Sequence, residues 1–206
     1  MKNDFKADGV KISVPPTILY SMAAKIPDVR HVVTSEFKAA GDLVYQLGAT
    51  YNELGASEFY RLFNQLGANV PQVRKTEARN LYLKVMQVNC HRLIESSHDL
   101  SDGGLAVTLA ECAFGGNLGA RIDLENFFDK SLSLNALLFA ESHSRFVVTV
   151  KPANRMLFEQ MMGSYAHFLG MVTKEPQLQI WQGNREVVNL PVVQLLEAWN
   201  NGLNVV

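Results

Sequence analysis

Apolar and polar positions change period several times along the chain, and each change predicts an element. Val10-Lys11-Ile12-Ser13-Val14 alternates as a strand does, and Pro15-Pro16 stops it. Asp42-Leu43-Val44-Tyr45-Gln46-Leu47-Gly48 reads as a strand closed by a glycine turn. Ser57 to Leu66 reads as a helix with Ser57 at its N-cap, and Asn69-Val70-Pro71 ends that unit. From Thr76 to about Ser96, Leu81, Val85, Val88 and Leu93 fall near helical spacing and predict a long amphipathic helix. Asp99 to Gly104 is a polar loop. Beyond it Leu105, Leu109, Cys112 and Ala113 resume the helical period as far as Gly115-Gly116.

The remainder alternates between the two periods. Strands are expected near Ala120–Leu124 and Arg145–Val150, and helices at Leu132–Phe139 and Asn154–Tyr165. Strands Phe168–Val172 and Leu178–Trp181 follow, then a turn at Gln182-Gly183-Asn184, strand Glu186–Leu190 and helix Val192–Asn200. This mixed order with a late hairpin predicts an α+β fold, one mixed β-sheet covered by helices. The first thirty-odd residues are unlike the rest. Residues 1–30 therefore read as a linker or a strand severed from something upstream, and residues 31–206 as one domain.

Composition narrows the classes. Of 206 residues, 48% are hydrophobic and 19% charged, as expected of a globular protein with a buried core. Nineteen basic residues balance 20 acidic ones, and no basic run marks a nucleic-acid or membrane partner. The N-terminus lacks the apolar core of a signal peptide, and no apolar run approaches the ~18 residues of a membrane span, so a cytoplasmic location is expected. Cys90 and Cys112 lie in helix-like apolar patterns without CxxC spacing and read as reduced core thiols.

Three polar stretches are candidates for chemistry. Ser97-His98-Asp99-Leu100-Ser101-Asp102-Gly103-Gly104 places carboxylates, hydroxyls and glycines ahead of a helix start. Free amides and partial positive charge there attract anions, and glycine lets a phosphate approach closely. Asp102 at the N-cap would itself accept those amides, and Asp99 would repel a bare phosphate. The loop therefore reads either as a capped helix start or as a site for a nucleotide bridged by Mg²⁺. In Asn52-Glu53-Leu54-Gly55-Ala56-Ser57-Glu58, Glu58 sits in the first turn of a helix or faces a cleft. In Glu141-Ser142-His143-Ser144-Arg145, wedged between an apolar helix and an apolar strand, Arg145 and Glu141 either form an ion pair or touch a sugar or phosphate. His31, His91 and His167 are isolated and read as structural.

The same residues carry a resemblance. His98 to Val107 with Leu109-Ala110-Glu111 is similar to the HDxSDGGLAVxLAE signature of the formylglycinamide ribonucleotide amidotransferase (phosphoribosylformylglycinamidine synthase) family, within the aminoimidazole ribonucleotide synthetase-like superfamily. Phe139 to Val148 resembles its FxESQSRFVV block, Glu53 to Glu58 its ELGGSE, and Pro27-Asp28-Val29-Arg30 with Phe37 to Asp42 its PDVRxxVTxDFKxPGD. Ala56, Ala40 and His143 depart from that pattern, standing for Gly, Pro and Gln.

The resemblance implies a second synthetase C-terminal-like domain, with Val14-Pro15-Pro16-Thr17 as the end of a preceding N-domain. It implies an ATP-dependent ligase of de novo purine biosynthesis. Such an enzyme uses ATP and Mg²⁺ to phosphorylate the amide oxygen of formylglycinamide ribonucleotide, and ammonia from a glutaminase subunit then displaces phosphate. The expected partners are the preceding ATP-binding N-domain and that glutaminase subunit. By the resemblance Asp99 is a metal ligand, and Ser101, Gly103 and Gly104 contact a nucleotide, ATP or ADP. Glu141, Ser142, Arg145 and Glu58 are substrate or cleft residues, and no catalytic residue is expected, so this domain alone should not turn over. A stand-alone binding or regulatory domain of the same superfamily is the alternative.

Overall fold

Every residue of Leu43–Leu47 is buried, as in a strand covered on both faces. The computed structural model, which describes residues 5–13, 20–125 and 131–202, places it inside a seven-stranded sheet. The strands are β1 (Phe5–Ala7), β2 (Val10–Ile12), β3 (Leu43–Leu47), β4 (Ser96–Asp99), β5 (Gly119–Asp123), β6 (Phe146–Val150), β7 (Ala166–Thr173), β8 (Gln177–Gln182) and β9 (Arg185–Pro191). The helices are α1 (Glu58–Arg61), α2 (Lys75–Cys90), α3 (Gly104–Gly116), α4 (Leu134–Phe139), α5 (Arg155–Met162) and α6 (Val192–Asn201). Sheet order is β4-β6-β3-β7-β5-β8-β9, with β5 and β8 parallel and the other neighbours antiparallel.

Alternation along the strands divides the core in two. Val44, Ile122, Val147, Leu169 and Ile180 face one side, where Leu105, Leu109 and Cys112 of α3 and Val192 of α6 close over them. Leu43, Tyr45, Leu47, Val148 and Val150 face the other, against Leu81 and Val88 of α2 and Phe158 and Met162 of α5. Each fully buried Leu, Val or Phe contributes about 1.5–3 kcal/mol, so these two faces dictate the layering. A third cluster, Leu54, Leu132, Ala136, Leu137 and Ala140, joins α4 to the turn before α1, where the Phe59 and Phe139 rings stack at 4.8 Å. The α+β class and the helix-covered mixed sheet expected from the periodicity are what the chain adopts.

Three elements differ from the periodicity. The helix expected over Ser57–Leu66 stops at Arg61, although Ser57 does cap it, accepting from the Tyr60 amide. Leu62, Phe63 and Leu66 have no core beneath them and are exposed, and Asn64 and Gly67 take left-handed φ values of 53° and 71°, which end a helix. The helix expected to reach Ser96 ends at Cys90, because Arg92 turns left-handed at φ 55° and returns Leu93 and Ile94 to the sheet. Ser96–Asp99 is then a strand without apolar alternation. Its one buried side chain, Ser96, satisfies its hydroxyl on Thr149 of β6 at 2.6 Å. Cys112 lies in the core as expected, whereas Cys90 is exposed.

The chain divides into two units, 1–32 and 33–206. In the first, β1 and β2 form an antiparallel hairpin about Asp8-Gly9, both at positive φ as a two-residue turn requires. The expected strand thus covers Val10–Ile12, and the stop at Pro15-Pro16 lies outside the described residues, as do Val14 and Thr17. Asp28 caps a short 3₁₀ turn and pairs with Arg30 at 2.7 Å. Among the described residues no helix is long and apolar enough to cross a membrane.

Candidate functional site

Strand β4 delivers the chain to Leu100–Gly103, and α3 begins at once. The Leu100 side chain is buried and its amide donates to the Arg145 carbonyl at 3.0 Å, which anchors the loop to β6. Asp99, Ser101 and Asp102 are exposed, and Ser101 Oγ donates to Asp99 Oδ2. Asp102 is not the helix cap. The N-cap is Gly103 at φ 77°, and its amide donates at 2.9 Å to Glu141 Oε1 from a distant turn.

Both glycines are demanded by packing. A Cβ on Gly104, at φ 62°, would lie 2.5 Å from the Ala140 carbonyl oxygen, and one on Gly103 would lie 2.3 Å from Val107 Cγ2. Helix α3 starts hard against the end of α4, and only glycine permits that approach. Thr108 Oγ1 bonds the Gly104 carbonyl at 2.9 Å, and His98 Nε2 lies 3.2 Å from Glu111 Oε2, tying β4 to α3.

The Glu141–Arg145 turn is built around a buried arginine, 1% exposed. Arg145 donates from Nε to the Ser142 carbonyl at 2.8 Å, from Nη1 to Thr50 Oγ1 at 3.0 Å, and from Nη2 to the Ala140 carbonyl. Burial pulls its pKa down to about 10. The ion pair, one of the two readings of Arg145 and Glu141, does not form. The guanidinium is spent on two carbonyls and the Thr50 hydroxyl, and Glu141 Oε1 is spent on the amides of Gly103 and, at 3.0 Å, Glu58. Ser142 is buried and accepts from the Tyr51 amide at 3.1 Å. The Glu58 carboxylate pairs with Arg61 at 3.1 Å, and only its backbone joins the Glu141 junction.

Periodicity gave no sign of one further arrangement. Glu53, 4% exposed, accepts from Arg74 Nη2 at 2.8 Å and from the Gln72 amide at 3.2 Å. The Arg74 guanidinium lies over the Tyr51 ring, 3.4 Å from its centroid. Burial raises the Glu53 pKa, but the bond and charge of Arg74, with smaller contributions from Ser142 and Gln72, outweigh it and hold the carboxyl below its ordinary value. A buried carboxylate demands a cation, but nothing in the sequence marks Glu53 as buried or Arg74 as its partner.

Asp99, Ser101, Asp102, Glu141 and Arg145 line one cleft of about 470 Å³, together with Pro71 and Tyr82. His143 and Ser144 line it too and also border a neighbouring cavity of about 240 Å³ with Tyr51, Arg74, Glu77 and His167. Asp99, Ser101, Glu141 and Arg145, four of the eight residues expected to meet a ligand, therefore share one cleft with Asp102. Ser142, Gly103 and Gly104 are buried beside it and Glu58 points away. Among the described residues no group of three or more His, Cys, Asp or Glu is placed to hold a metal ion.

A mixed sheet between two helical layers, with a glycine-started helix behind a polar loop, defines an α+β domain. The family model described as AIR synthase related protein, C-terminal domain, matches residues 39–182, and the chain belongs to that family. It is 33% identical over 198 residues to the phosphoribosylformylglycinamidine synthase subunit PurL of Alkaliphilus metalliredigens, covering 94% of this chain and 26% of that one. The chain thus spans about a quarter of the length of this curated relative. The fold matches Thermotoga maritima PurL complexed with FGAR, with TM-score 0.72 and 20% identity over 81% of this chain and 30% of that one. Escherichia coli HypE, a hydrogenase maturation protein, matches with TM-score 0.56 and 18% identity over 78% of this chain and 51% of that one.

Proposed function

We propose that this chain acts as the C-terminal-type domain of an ATP-dependent carbon–nitrogen ligase of the PurL kind. In this reading it works in the cytoplasm on formylglycinamide ribonucleotide, beside an ATP-binding N-domain and a glutaminase subunit. The observation that carries the reading is the identity to PurL, which runs over 94% of the chain and so is not confined to one motif. T. maritima PurL forms complexes with FGAR, ATP and ADP. Residues 1–30 are the linker or remnant of a preceding N-domain, and 31–206 the synthetase C-terminal-like domain.

The cleft supports a division of labour in which this domain supplies a wall. Asp99 and Ser101 face outward from a loop anchored by Leu100 and Arg145, where they can meet a metal-bound nucleotide held mainly by another domain. Bound Mg²⁺ would neutralise phosphate charge that Asp99 alone would repel. The test is magnesium-dependent ADP binding, measured by calorimetry with the chain alone and with an ATP-binding N-domain supplied. Binding should appear only in the joined state and weaken at least about tenfold in Asp99→Ala, the loss of one charged ligand contact. Unchanged binding in that variant would remove Asp99 from the site.

A further inference from the structure

The start of α3 is where a phosphate would be expected to dock, yet its glycine amides are already committed. The Gly103 amide donates to Glu141 Oε1 at 2.9 Å and the Gly104 amide to the Ser101 carbonyl at 3.1 Å, and both glycines are buried. The same Glu141 oxygen accepts from the Glu58 amide at 3.0 Å, so one carboxylate joins the turn before α1 to the start of α3. The backbone on either side of Glu141 is held in place. The carbonyls on either side of it, Ala140 and Ser142, are both held by the buried Arg145 guanidinium. A carboxylate accepting backbone amides at a helix start supplies the charge-assisted bonds that an anionic ligand would otherwise supply.

We infer that Glu141 is the resident anion of α3: it fills the position a phosphate would need and excludes one from the Gly103 amide. Asp99 and Asp102 flank the same loop and add to the repulsion. Any nucleotide meeting this loop must do so through outward-facing Asp99 and Ser101, and the double glycine serves the packing of α3 on α4. Glu141 is a positioning residue, which fixes the Leu100–Gly103 loop and the Gly55–Ser57 turn relative to one another.

The inference concerns this chain's own groups and is tested without the ligase reaction. The ¹⁵N-labelled chain is titrated with inorganic phosphate in magnesium-free buffer as wild type, Glu141→Ala and Glu141→Gln, following the Gly103 and Glu58 amides. The wild-type Gly103 signal should not saturate with phosphate. In Glu141→Ala the freed amide should bind phosphate at least about tenfold more tightly than wild type, as removal of a competing negative charge at a helix start implies. In the near-isosteric Glu141→Gln, which keeps the volume, hydrogen exchange at Gly103 and Glu58 should accelerate together, because both amides lose the same charged acceptor. A saturable phosphate shift at Gly103 in wild type overturns the inference. So does no gain of phosphate binding in Glu141→Ala, or, should that variant not fold, exchange in Glu141→Gln that changes at only one of the two amides.

Discussion

Arg74 closes over Glu53, its guanidinium 2.8 Å from a carboxylate that is 5% exposed in its side chain while Arg74 remains 29% exposed. The two partners differ in what they lose on mutation. Arg74→Ala strands a buried charge and should cost about 2–3 kcal/mol, below the usual loss for a fully buried pair because Arg74 is partly solvated. Glu53→Gln keeps an acceptor and should cost about 1 kcal/mol. Urea unfolding of the two variants measures both. The pH dependence follows from the lowered Glu53 pKa. The native carboxyl holds its proton less tightly than the unfolded one, so this stability is complete above the unfolded value of about 4.3 and is lost as pH falls through the native value. Arg74→Ala should flatten that acid limb.

Asp42 has the opposite sign. It is 4% exposed, and burial, reinforced by the Glu95 charge, raises its pKa. Its native carboxyl binds a proton more tightly than the unfolded one, so the charged form penalises folding above the native pKa and not below the unfolded value of about 3.9. Asp42→Asn should therefore stabilise the chain at pH 7 by about 1 kcal/mol and have no such effect at pH 3, as read from urea midpoints at the two values.

Ala56 occupies a left-handed backbone position, φ 58°, where the family pattern carries glycine. A Cβ there costs about 1–2 kcal/mol, partly offset because glycine loosens the unfolded chain. Ala56→Gly should raise stability by about 0.5–1 kcal/mol, visible as a higher thermal midpoint.

Gly104→Ala meets both a positive φ and the Ala140 carbonyl 2.5 Å away. Strain and overpacking together should cost about 3 kcal/mol or more, measured by urea unfolding. The equivalent change at Gly202, with nothing within 4 Å and φ −58°, should cost almost nothing and serves as the control.

The two thiols should separate cleanly. Burial pushes the Cys112 thiol up to about 12, and Cys90 is exposed. A disulfide reagent at pH 8 should modify one thiol in the native chain and the second only after denaturation. Two thiols reacting at equal rates without denaturant would contradict the placement of Cys112.

Elements with strong periodicity were legible. The strand-like runs Arg145–Val150 and Leu178–Trp181 became β6 and β8, and Leu105, Leu109 and Cys112 correctly gave the buried face of α3. Strand β4 was not legible, because its pairing rests on a Ser96–Thr149 hydroxyl contact and not on apolar alternation. The candidate site was half legible. Short motifs picked out Asp99, Ser101, Glu141 and Arg145, which share a cleft. What each does was not, since Glu141 is bonded to amides far away in sequence and Arg145 to carbonyls, and local sequence carries no record of such long-range partners.

Strand β3 lies between β6 and β7, pairing Leu43 with Val150 on one side and with Met171 on the other. During synthesis Leu43–Leu47 therefore leaves the ribosome long before either neighbour exists. Pairings this distant in sequence make folding slow and leave a β-prone segment open to wrong partners meanwhile. The local β8–β9 hairpin can form as soon as it is made. Productive assembly must wait for the middle of the sheet, and chaperone dependence should concentrate on that nascent stretch.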